Sequence, residues 1–521
     1  MTDVLFQRLN ALQNQAGAAT LTGIQRGIEK ESLRISPDGH IALTPHPQAL
    51  GSALTHPHLT TDYSEALLEF ITPPSSDPAA PIEFLEQLHR FVYQNIDDEL
   101  LWVNSMPCVL GEDDSIPLAD YGSSNSGMMK HIYRRGLGHR YGRRMQTIAG
   151  IHYNMSFPQE LWQLHQDAEG DRRPLGDFIS ARYMDLTRNF QRYSWLLIYL
   201  FGASPAVCAS FLSSREHSLQ PLLKGTLARP AATSLRMSDL GYQNNAQSAL
   251  HISYNSLDDY VETLTQAIRT PAPEYQRIGV KVDGEYRQLN ANILQIENEY
   301  YSSIRPKRTV ASGERPTQAL AQRGVEYVEI RALDLNPFEP VGINKEQMRF
   351  LDLFATFCLM HSAPVMCSNN LSGCKDNIRQ VVYEGRDTGI LLRNLGRDVS
   401  LHDWALSVLE HMEPIAELFD AAYDTQGYRR ALDAQREKVL QPELTPSAIL
   451  MDKLVSRRQS FFEFAMNQAE AHRDHFRAMP RDAERDAQLV ALAQQSLQQQ
   501  LEQERNDSQS FEDFLAAYFR D

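Results

Sequence analysis

Apolar and polar residues alternate along several short segments in the first two-thirds of the chain, which predicts β-strands with one packed face and one polar face. In residues 150–157 the alternation is nearly complete, and it puts His152 on the polar face. In residues 27–35, Glu29 and Glu31 are two positions apart, so their side chains point the same way. A short strand of this kind presents polar groups side by side.

Three further segments have the same character and add charged side chains. They are residues 325–333, with Tyr327, Glu329 and Arg331 on one face, residues 66–72, with Glu69 as the single charge in an apolar run, and residues 292–299, with Gln295, Glu297 and Glu299 on one face. For any one of these strands alone, a half-solvated antiparallel sheet with its polar face in water is the simpler interpretation. Together in one sheet, the five strands would build a concave acidic surface.

Other parts of the chain have helical spacing. Residues 400–521 are helical in pattern throughout, and we expect them to brace the core. Residues 193–214 carry no charge over about the length of a membrane span. Because a Gly-Ala-Ser-Pro sequence interrupts that run at residues 202–205, we expect a buried helix ending near Phe201, followed by a turn and a second core segment.

Composition narrows the classes of protein that fit. Of the 521 residues, 42% are hydrophobic and 22% are charged, which is typical of a globular protein. The formal net charge of −16 argues against binding to nucleic acid or to an anionic membrane, because phosphate groups repel such a surface. The 5 cysteines are scattered and form no CxxC pair, which fits a reducing compartment. We expect a cytoplasmic protein with no membrane and no obligatory protein partner.

The predicted acidic face is a candidate metal site. Carboxylates gathered on one surface repel each other and become protonated unless cations neutralise them. Hard oxygen ligands with a single histidine suit Mg²⁺ or Mn²⁺ better than zinc.

Two clusters of basic residues, in residues 130–144 and 304–308, contrast with the acidic background. Solvated surface charge is one interpretation of these clusters. The other is recognition of a triphosphate and of amino-acid carboxylates, for which arginine is suited by its geometry. The motif GxxxxGK[ST], and a GxGxxG between a strand and a helix, are both absent. If ATP binds, metal ions and arginines must therefore hold its phosphates.

Nine collinear segments resemble proteobacterial glutamate-cysteine ligase, also called γ-glutamylcysteine synthetase. They are residues 24–34 (IQRGIEKESLR), 51–56 (GSALTH), 60–73 (TTDYSEALLEFITP), 146–154 (QTIAGIHYN), 199–205 (YLFGASP), 233–242 (TSLRMSDLGY), 294–299 (LQIENE), 304–308 (IRPKR) and 326–331 (EYVEIR). The resemblance is close over about residues 20–345. Beyond about residue 375 it extends only to length and helical character.

The resemblance implies an α+β fold in which a curved, mainly antiparallel sheet forms a funnel of the glutamine-synthetase-like type, with surrounding helices and a helical C-terminal region. Because no repeat or linker divides the chain, we expect one catalytic unit over residues 1–521, with the active-site strands in about residues 20–375 and a helical bracing region in about residues 376–521. The implied reaction joins the γ-carboxylate of L-glutamate to L-cysteine through γ-glutamyl phosphate. It consumes ATP and is the first step of glutathione biosynthesis.

The resemblance also implies roles for individual residues. The expected metal ligands are Glu29, Glu31, Asp62, Glu69, His152 and Glu329. The expected cofactors are ATP and Mg²⁺, with Mn²⁺ as an alternative metal. The expected amino-acid-binding residues are Tyr63, Tyr133, Arg134, Ile148, Arg236, Tyr242 and Tyr301. Arg331, beside Glu329, falls on the arginine that meets the transferring phosphoryl group, and these two are the expected catalytic residues. Tyr63 departs from the family pattern, since a phenylalanine is expected there at the edge of the cysteine pocket.

Three other functions fit the same residues. A metal-dependent phosphohydrolase or nuclease would release its product without an amine acceptor. A non-catalytic amino-acid-binding protein would bind without forming ADP. Within the ligases, a different amine acceptor or acid donor is the most serious alternative.

Overall fold

The computed structural model describes residues 2–13, 15–107, 109–212, 216–241, 247, 250–311 and 313–520. Within these ranges the strands are β1 (Gln25–Ile35), β2 (Leu59–Thr61), β3 (Leu67–Ile71), β4 (Leu100–Leu101), β5 (Ile151–Ser156), β6 (Ala206–Cys208), β7 (Gln220–Leu223), β8 (Thr226–Ala228), β9 (Lys281–Val282), β10 (Glu285–Tyr286), β11 (Ile304–Lys307), β12 (Tyr327–Leu333), β13 (Leu391–Asn394) and β14 (Arg397–Ser400).

The helices surround these strands and fill most of the last third of the chain. In the described ranges they are α1 (Thr2–Asn10), α2 (Gln15–Ala19), α3 (Ala80–Tyr93), α4 (Asn125–Tyr141), α5 (Gln159–Glu169), α6 (Leu175–Phe201), α7 (Leu257–Arg269), α8 (Pro273–Ile278), α9 (Pro316–Arg323), α10 (Lys345–Met360), α11 (Ser368–Glu384), α12 (Leu401–Tyr423), α13 (Gly427–Leu440), α14 (Pro446–Ser456), α15 (Phe461–Ala478), α16 (Ala483–Asn506) and α17 (Phe511–Tyr518).

One sheet organises the molecule. Among the described residues it has 7 strands in the order β11-β12-β5-β1-β3-β2, and β4 pairs with one end of β1. Every pairing in this sheet is antiparallel. Strands that are far apart in sequence, such as β1, β5 and β12, thereby become neighbours. The α+β class and the antiparallel sheet predicted from the sequence are confirmed.

The face of the sheet opposite the acidic residues packs against helices. Arg26, on β1, forms a fully buried ion pair with Asp352 of α10 at 2.8 Å. The hydroxyl groups of Tyr153 and Tyr428 also donate to the Asp352 carboxylate, at 2.7 and 3.0 Å. Removing one partner of a buried, hydrogen-bonded ion pair costs about 3–5 kcal/mol, so this network fixes the sheet firmly against α10 and α13.

The long uncharged segment is part of the core. Helix α6 ends at Phe201, as predicted, and β6 follows it as a buried strand. Residues of α6 from Tyr193 to Phe201 are all buried against neighbouring elements. Within the part of the chain that the structure describes, no helix has the length and apolar character that crossing a membrane would require.

Four of the five predicted acidic strands are strands of the central sheet, but the prediction for residues 292–299 is wrong. Glu297–Glu299 form a single 3₁₀ turn, and the residues before them are irregular. Side chains of nearby residues accept hydrogen bonds from backbone N–H groups there. The Glu299 carboxylate accepts from the Gln295 N–H at 2.6 Å, and the Gln295 side-chain oxygen accepts from the Leu289 N–H at 2.9 Å. A backbone N–H group that donates to a side chain is not available to pair with a neighbouring strand.

Candidate active site

A cavity of about 460 Å³ lies over the acidic face of the central sheet, a size typical of small-molecule sites. Strands β1, β3, β5 and β12 contribute to its lining, as do α4 and the C-terminal helix α17. All of the expected metal ligands line this one cavity, namely Glu29, Glu31, Asp62, Glu69, His152 and Glu329. The sequence-based prediction that these side chains converge is confirmed.

Strand register explains the convergence. Glu29 is paired with His152 across β1 and β5, and Glu31 is paired with Glu69 across β1 and β3. Glu329 is paired with Asn154 across β12 and β5. Directly opposed residues lie on the same side of a sheet with their Cβ atoms about 4.5–5.5 Å apart. Backbone pairing alone therefore gathers the acidic groups on one face.

Three of these side chains meet closely. One potential ligand atom from each of Glu29, His152 and Glu329 lies within 4.8 Å of the other two. His152 Nδ1 is 3.0 Å from Glu29 Oε2 and 3.6 Å from Glu329 Oε1. His152 Nε2 is buried, has no hydrogen bond within the described ranges, and lies 3.8 Å from Glu31 Oε1. Carboxylate oxygens around a buried imidazole nitrogen suit a hard divalent cation such as Mg²⁺ or Mn²⁺.

The electrostatics of the acidic face agree with this donor set. Burial and the neighbouring Asp62 carboxylate raise the pKa of Glu31 to about 8. Burial, together with the carboxylates of Glu29, Asp62 and Glu31, raises the pKa of Glu69 well above its ordinary value. Carboxylates in this setting bind a cation by releasing a proton, which makes metal affinity dependent on pH.

Positive charge gathers on the β11–β12 side of the cavity. Burial alone would raise the pKa of Glu329, but Lys307 and Arg331 hold it well below its ordinary value. Arg331 Nη1 donates to Glu329 Oε1 at 3.0 Å, and Lys307 Nζ lies 3.3 Å from Glu329 Oε2. Arg305, paired with Glu329 across β11 and β12, lies 3.9 Å from the same oxygen. This edge can therefore bind an anionic group such as a phosphate.

Five of the seven expected amino-acid-binding residues line the same cavity: Tyr63, Tyr133, Arg134, Ile148 and Tyr301. Arg236 does not line it, because its fully buried guanidinium lies behind the wall and donates to the carbonyl oxygen of Arg331 at 2.8 Å. Tyr242 lies outside the described residues. The roles of all seven residues in binding stay predictions.

Tyr63 fits the cavity wall without clashing. Its hydroxyl is buried and has no hydrogen-bond partner among the described residues. Gly138 of α4 makes room for it, since a Cβ atom at that position would lie 2.5 Å from the Tyr63 Oη atom. The hydroxyl that departs from the family pattern is therefore matched by a glycine on the facing helix.

Several residues that line the cavity were not predicted from the sequence. Lys130 and Lys307 lie in the two basic clusters but received no individual role, and Gln146 lies in a quoted motif. The Gln146 amide donates to the Tyr301 hydroxyl at 2.9 Å. Phe514 and Tyr518 of α17 also line the cavity, although nothing specific was predicted for that region. Their helical spacing was visible in the sequence, but its position over the cavity was not.

Known glutamate-cysteine ligases are similar to this chain over 99% of its length. The family model of glutamate-cysteine ligase matches residues 9–381. The chain is 65% identical to the glutamate-cysteine ligase of Alcanivorax borkumensis, over 99% of both chains. It is 53% identical to that of Azotobacter vinelandii, over 99% of this chain and 98% of the relative.

Solved structures agree with these matches. A glutamate-cysteine ligase from Francisella tularensis, solved in complex with AMP, superimposes with a TM-score of 0.89 at 38% identity, covering 95% of this chain and 97% of that one. A bifunctional glutathione synthetase from Pasteurella multocida shares the fold, with a TM-score of 0.67 at 23% identity over 90% of this chain and 53% of that one.

These matches identify an enzyme of the ligase class. Within that class, the chain belongs to the glutamate-cysteine ligase family. The resemblance found in the sequence motifs is thereby confirmed, and so is the assignment to ligases of the first step in glutathione synthesis.

Proposed function

We propose that this chain uses ATP to join the γ-carboxylate of L-glutamate to the amine of L-cysteine, giving γ-glutamylcysteine, ADP and phosphate. The observation that carries the proposal is one cavity lined by Glu29, His152 and Glu329 together with Arg331. Family membership supports the substrates, and the AMP bound to the Francisella tularensis relative supports a nucleotide in this fold.

The reaction needs activation because a carboxylate is a poor electrophile. The γ-carboxylate of glutamate attacks the γ-phosphorus of ATP, which forms γ-glutamyl phosphate and releases ADP. The amine of cysteine then attacks the acyl carbon, loses a proton and expels phosphate. Both steps develop negative charge on oxygens around phosphorus, and fixed positive groups stabilise that charge.

Residues of this chain supply that stabilisation and the binding of the substrates. Arg331 is held by Glu329 at 3.0 Å and is proposed to meet the transferring phosphoryl group. Lys307 adds a second positive charge at the other oxygen of the Glu329 carboxylate, Oε2, at 3.3 Å. Tyr63, Tyr133, Arg134, Ile148, Arg236, Tyr242 and Tyr301 are proposed to bind or position the two amino acids.

Mg²⁺ is the proposed metal, with Mn²⁺ as a substitute. Glu29, Glu31, Asp62, Glu69, His152 and Glu329 are the proposed ligands. When bound, the metal would neutralise phosphate charge during transfer. The proposal is supported by the oxygen-rich donor set and by the buried Nε2 of His152, which forms no hydrogen bond in the described ranges.

The proposal also covers the shape of the sheet, the organisation of the chain and the place in the cell where the enzyme works. The antiparallel sheet is proposed to curve into a funnel of the glutamine-synthetase-like type around the cavity. Residues 1–521 are proposed to act as one catalytic unit, because α17 in the region 376–521 contributes Phe514 and Tyr518 to the cavity. The enzyme is proposed to work in the cytoplasm, where its substrates and a reducing environment are found.

The test is a measurement of ADP release by the purified protein with ATP and Mg²⁺. We expect strong release only when glutamate and cysteine are both present, because the acyl phosphate turns over productively only with its amine acceptor. Release with no amino acid would instead indicate a phosphohydrolase. No release under any condition would favour a binding protein, and a strong response to another amine would reassign the acceptor.

A further inference from the structure

Two charged side chains that the sequence patterns singled out, and that the proposed function does not use, meet outside the cavity. Arg140 belongs to the basic cluster in residues 130–144, and Glu299 belongs to the segment 292–299. Their side chains are fully buried and form an ion pair at 2.9 Å. Arg140 also donates to Gln288 Oε1 at 2.9 Å. Because breaking a buried ion pair leaves an uncompensated charge, this pair fixes the end of α4 against the segment 292–299.

Tyr141, the last residue of α4, is oriented by this ion pair. Its hydroxyl donates to Glu299 Oε1 at 2.7 Å, the same oxygen that accepts from Arg140. Its ring packs edge to face against the ring of Tyr301, with the ring centroids 5.9 Å apart and an interplanar angle of 76°. Aromatic pairs prefer this arrangement. Tyr141 therefore supports Tyr301 through a ring contact and is itself held by Glu299.

Gln247 connects the same groups to the backbone of Tyr301. Its side chain is buried, and its amide nitrogen donates to the Tyr141 hydroxyl at 3.1 Å and to the Glu299 carbonyl oxygen at 2.8 Å. Its Oε1 atom accepts from the Tyr301 N–H at 3.0 Å. Tyr301 precedes β11 and lies outside the paired residues of the sheet, so this hydrogen bond restrains the backbone where strand pairing does not.

The network reaches the cavity at Tyr301. The Tyr301 side chain lines the cavity, where its hydroxyl accepts from the Gln146 amide at 2.9 Å. Neither Tyr141 nor Gln247 is among the described residues that line the cavity. Their influence on a bound substrate must therefore pass through Tyr301.

We propose that Gln247 is a positioning residue for amino-acid binding, which holds Tyr301 in place with the help of Tyr141 and the Arg140–Glu299 ion pair. The proposal rests on the proposed function, since it takes Tyr301 as one of the residues that bind an amino acid. Glutamine suits this position because one side-chain amide donates and accepts hydrogen bonds at the same time.

The test compares the same substitution at two buried glutamines. Gln247→Met keeps the length of the side chain but removes its hydrogen bonds to Tyr141, Glu299 and Tyr301. Gln435→Met is the matched control, because Gln435 of α13 is also buried, donates to the Ala431 carbonyl at 3.1 Å and does not line the cavity. For each variant, kcat and the separate KM values for ATP, glutamate and cysteine are measured, together with Tm.

Displacing a substrate-positioning group by about 1 Å can cost about 100-fold in rate. We expect Gln247→Met to raise the KM for glutamate or cysteine by about tenfold, with the KM for ATP within about twofold of the wild-type value. A general loss of stability would not produce this difference between substrates. Gln435→Met should leave all three KM values within about twofold of the wild type.

Two further variants test the route through Tyr301. Tyr141→Phe keeps the ring and removes one acceptor of the Gln247 amide, so it should raise the same KM by about 2- to 10-fold, less than Gln247→Met does. Tyr301→Ala should raise that KM as well. Adding Gln247→Met to Tyr301→Ala should then change it by less than about twofold, because two substitutions that act through one contact are not additive.

Unchanged KM values for both amino acids in folded Gln247→Met or in Tyr301→Ala would overturn the proposal, as would a fully additive double variant. If Gln247→Met does not fold, unchanged KM values in Tyr141→Phe would overturn it. These results leave the proposed function standing if the wild-type protein releases ADP only with both amino acids. Absence of that response in the wild-type protein would instead remove the proposed function itself.

Discussion

Glu31 and Glu329 are both buried carboxylates on one face of the sheet, yet their pKa values shift in opposite directions. For Glu31, burial and the nearby Asp62 carboxylate raise the pKa to about 8. For Glu329, the charges of Lys307 and Arg331 outweigh the effect of burial and lower the pKa. The site therefore combines a carboxyl group whose pKa is raised by burial and an acidic neighbour with one whose negative charge is partly offset by Lys307 and Arg331. Glu329 can thus hold Arg331 in place and still present an oxygen to a metal ion.

Arg331 is the residue on which the proposed chemistry depends most. Replacing it with alanine should lower kcat by about 100- to 1000-fold, because a positive group aimed at developing charge on the phosphoryl oxygens is lost. The measurement is steady-state turnover with ATP, glutamate and cysteine, alongside circular dichroism to check the fold.

Arg308→Ala is the matched control for that variant. Arg308 follows β11, lies 3.7 Å from Glu326 and does not line the cavity. Its loss should leave kcat within about threefold of the wild-type value. Near-normal turnover of Arg331→Ala would show that Arg331 does not act on the transferring group.

Single residues were predictable from the sequence where a strand fixes their direction. Glu29, Glu31 and His152 were assigned correctly to one face because side chains alternate with a period of two along a strand. Arg236 was not predictable in this way, since it lies in a 3₁₀ turn and its guanidinium turns behind the cavity wall to reach a carbonyl. Irregular backbone gives no rule for where a side chain points.

At the scale of whole elements, the strands that form long hydrogen-bonded ladders were predicted well. Strands β1, β5 and β12 all match their alternating segments. Residues 292–299 have the same alternation, but their glutamate and glutamine side chains bind the local backbone and prevent pairing. Alternation of polar and apolar residues alone therefore does not distinguish a strand from a segment whose polar side chains hydrogen-bond to the nearby backbone.

Glu169 joins three helices and makes their packing sensitive to acid. It accepts from His165 on the same helix, α5, and from Arg8 of α1, and it pairs with Arg182 of α6. Burial would raise the pKa of Glu169, but the His165 hydrogen bond and the two arginines lower it to about 2. A carboxylate with a lowered pKa in the folded state stabilises that state above its ordinary pKa of 4.5, and the effect is lost as the pH falls toward 2.

We therefore expect Glu169→Gln to lower Tm at pH 7 and to approach the wild-type Tm as the pH falls from about 4.5 toward 2. The measurement is thermal unfolding of both proteins across that pH range. Glu160→Gln, an exposed position on the same helix, is the control and should show no such pH-dependent difference. A Tm difference for Glu169→Gln that stays constant across the range would contradict the assigned role.

At the scale of the whole molecule, the active-site floor was predictable and one wall was not. The floor follows from strand pairing and from motifs carried by β1, β3, β5 and β12. The wall formed by α17 depends on where the chain returns after more than a hundred helical residues, and it docks through a few apolar contacts to α4. The local pattern of apolar residues predicts a helix but does not show which distant element the helix packs against. The region was therefore predicted only to brace the core.

The central claim is that carboxylates from separate strands bind shared divalent cations beneath the phosphates of a nucleotide. A crystal of the protein grown with Mn²⁺ and ADP tests this directly, because anomalous scattering locates the manganese without reference to activity. The account predicts at least one peak within coordination distance of Glu29, His152 and Glu329, next to the diphosphate. Well-ordered ADP in the cavity with no manganese at those residues, or manganese bound only elsewhere, would contradict it.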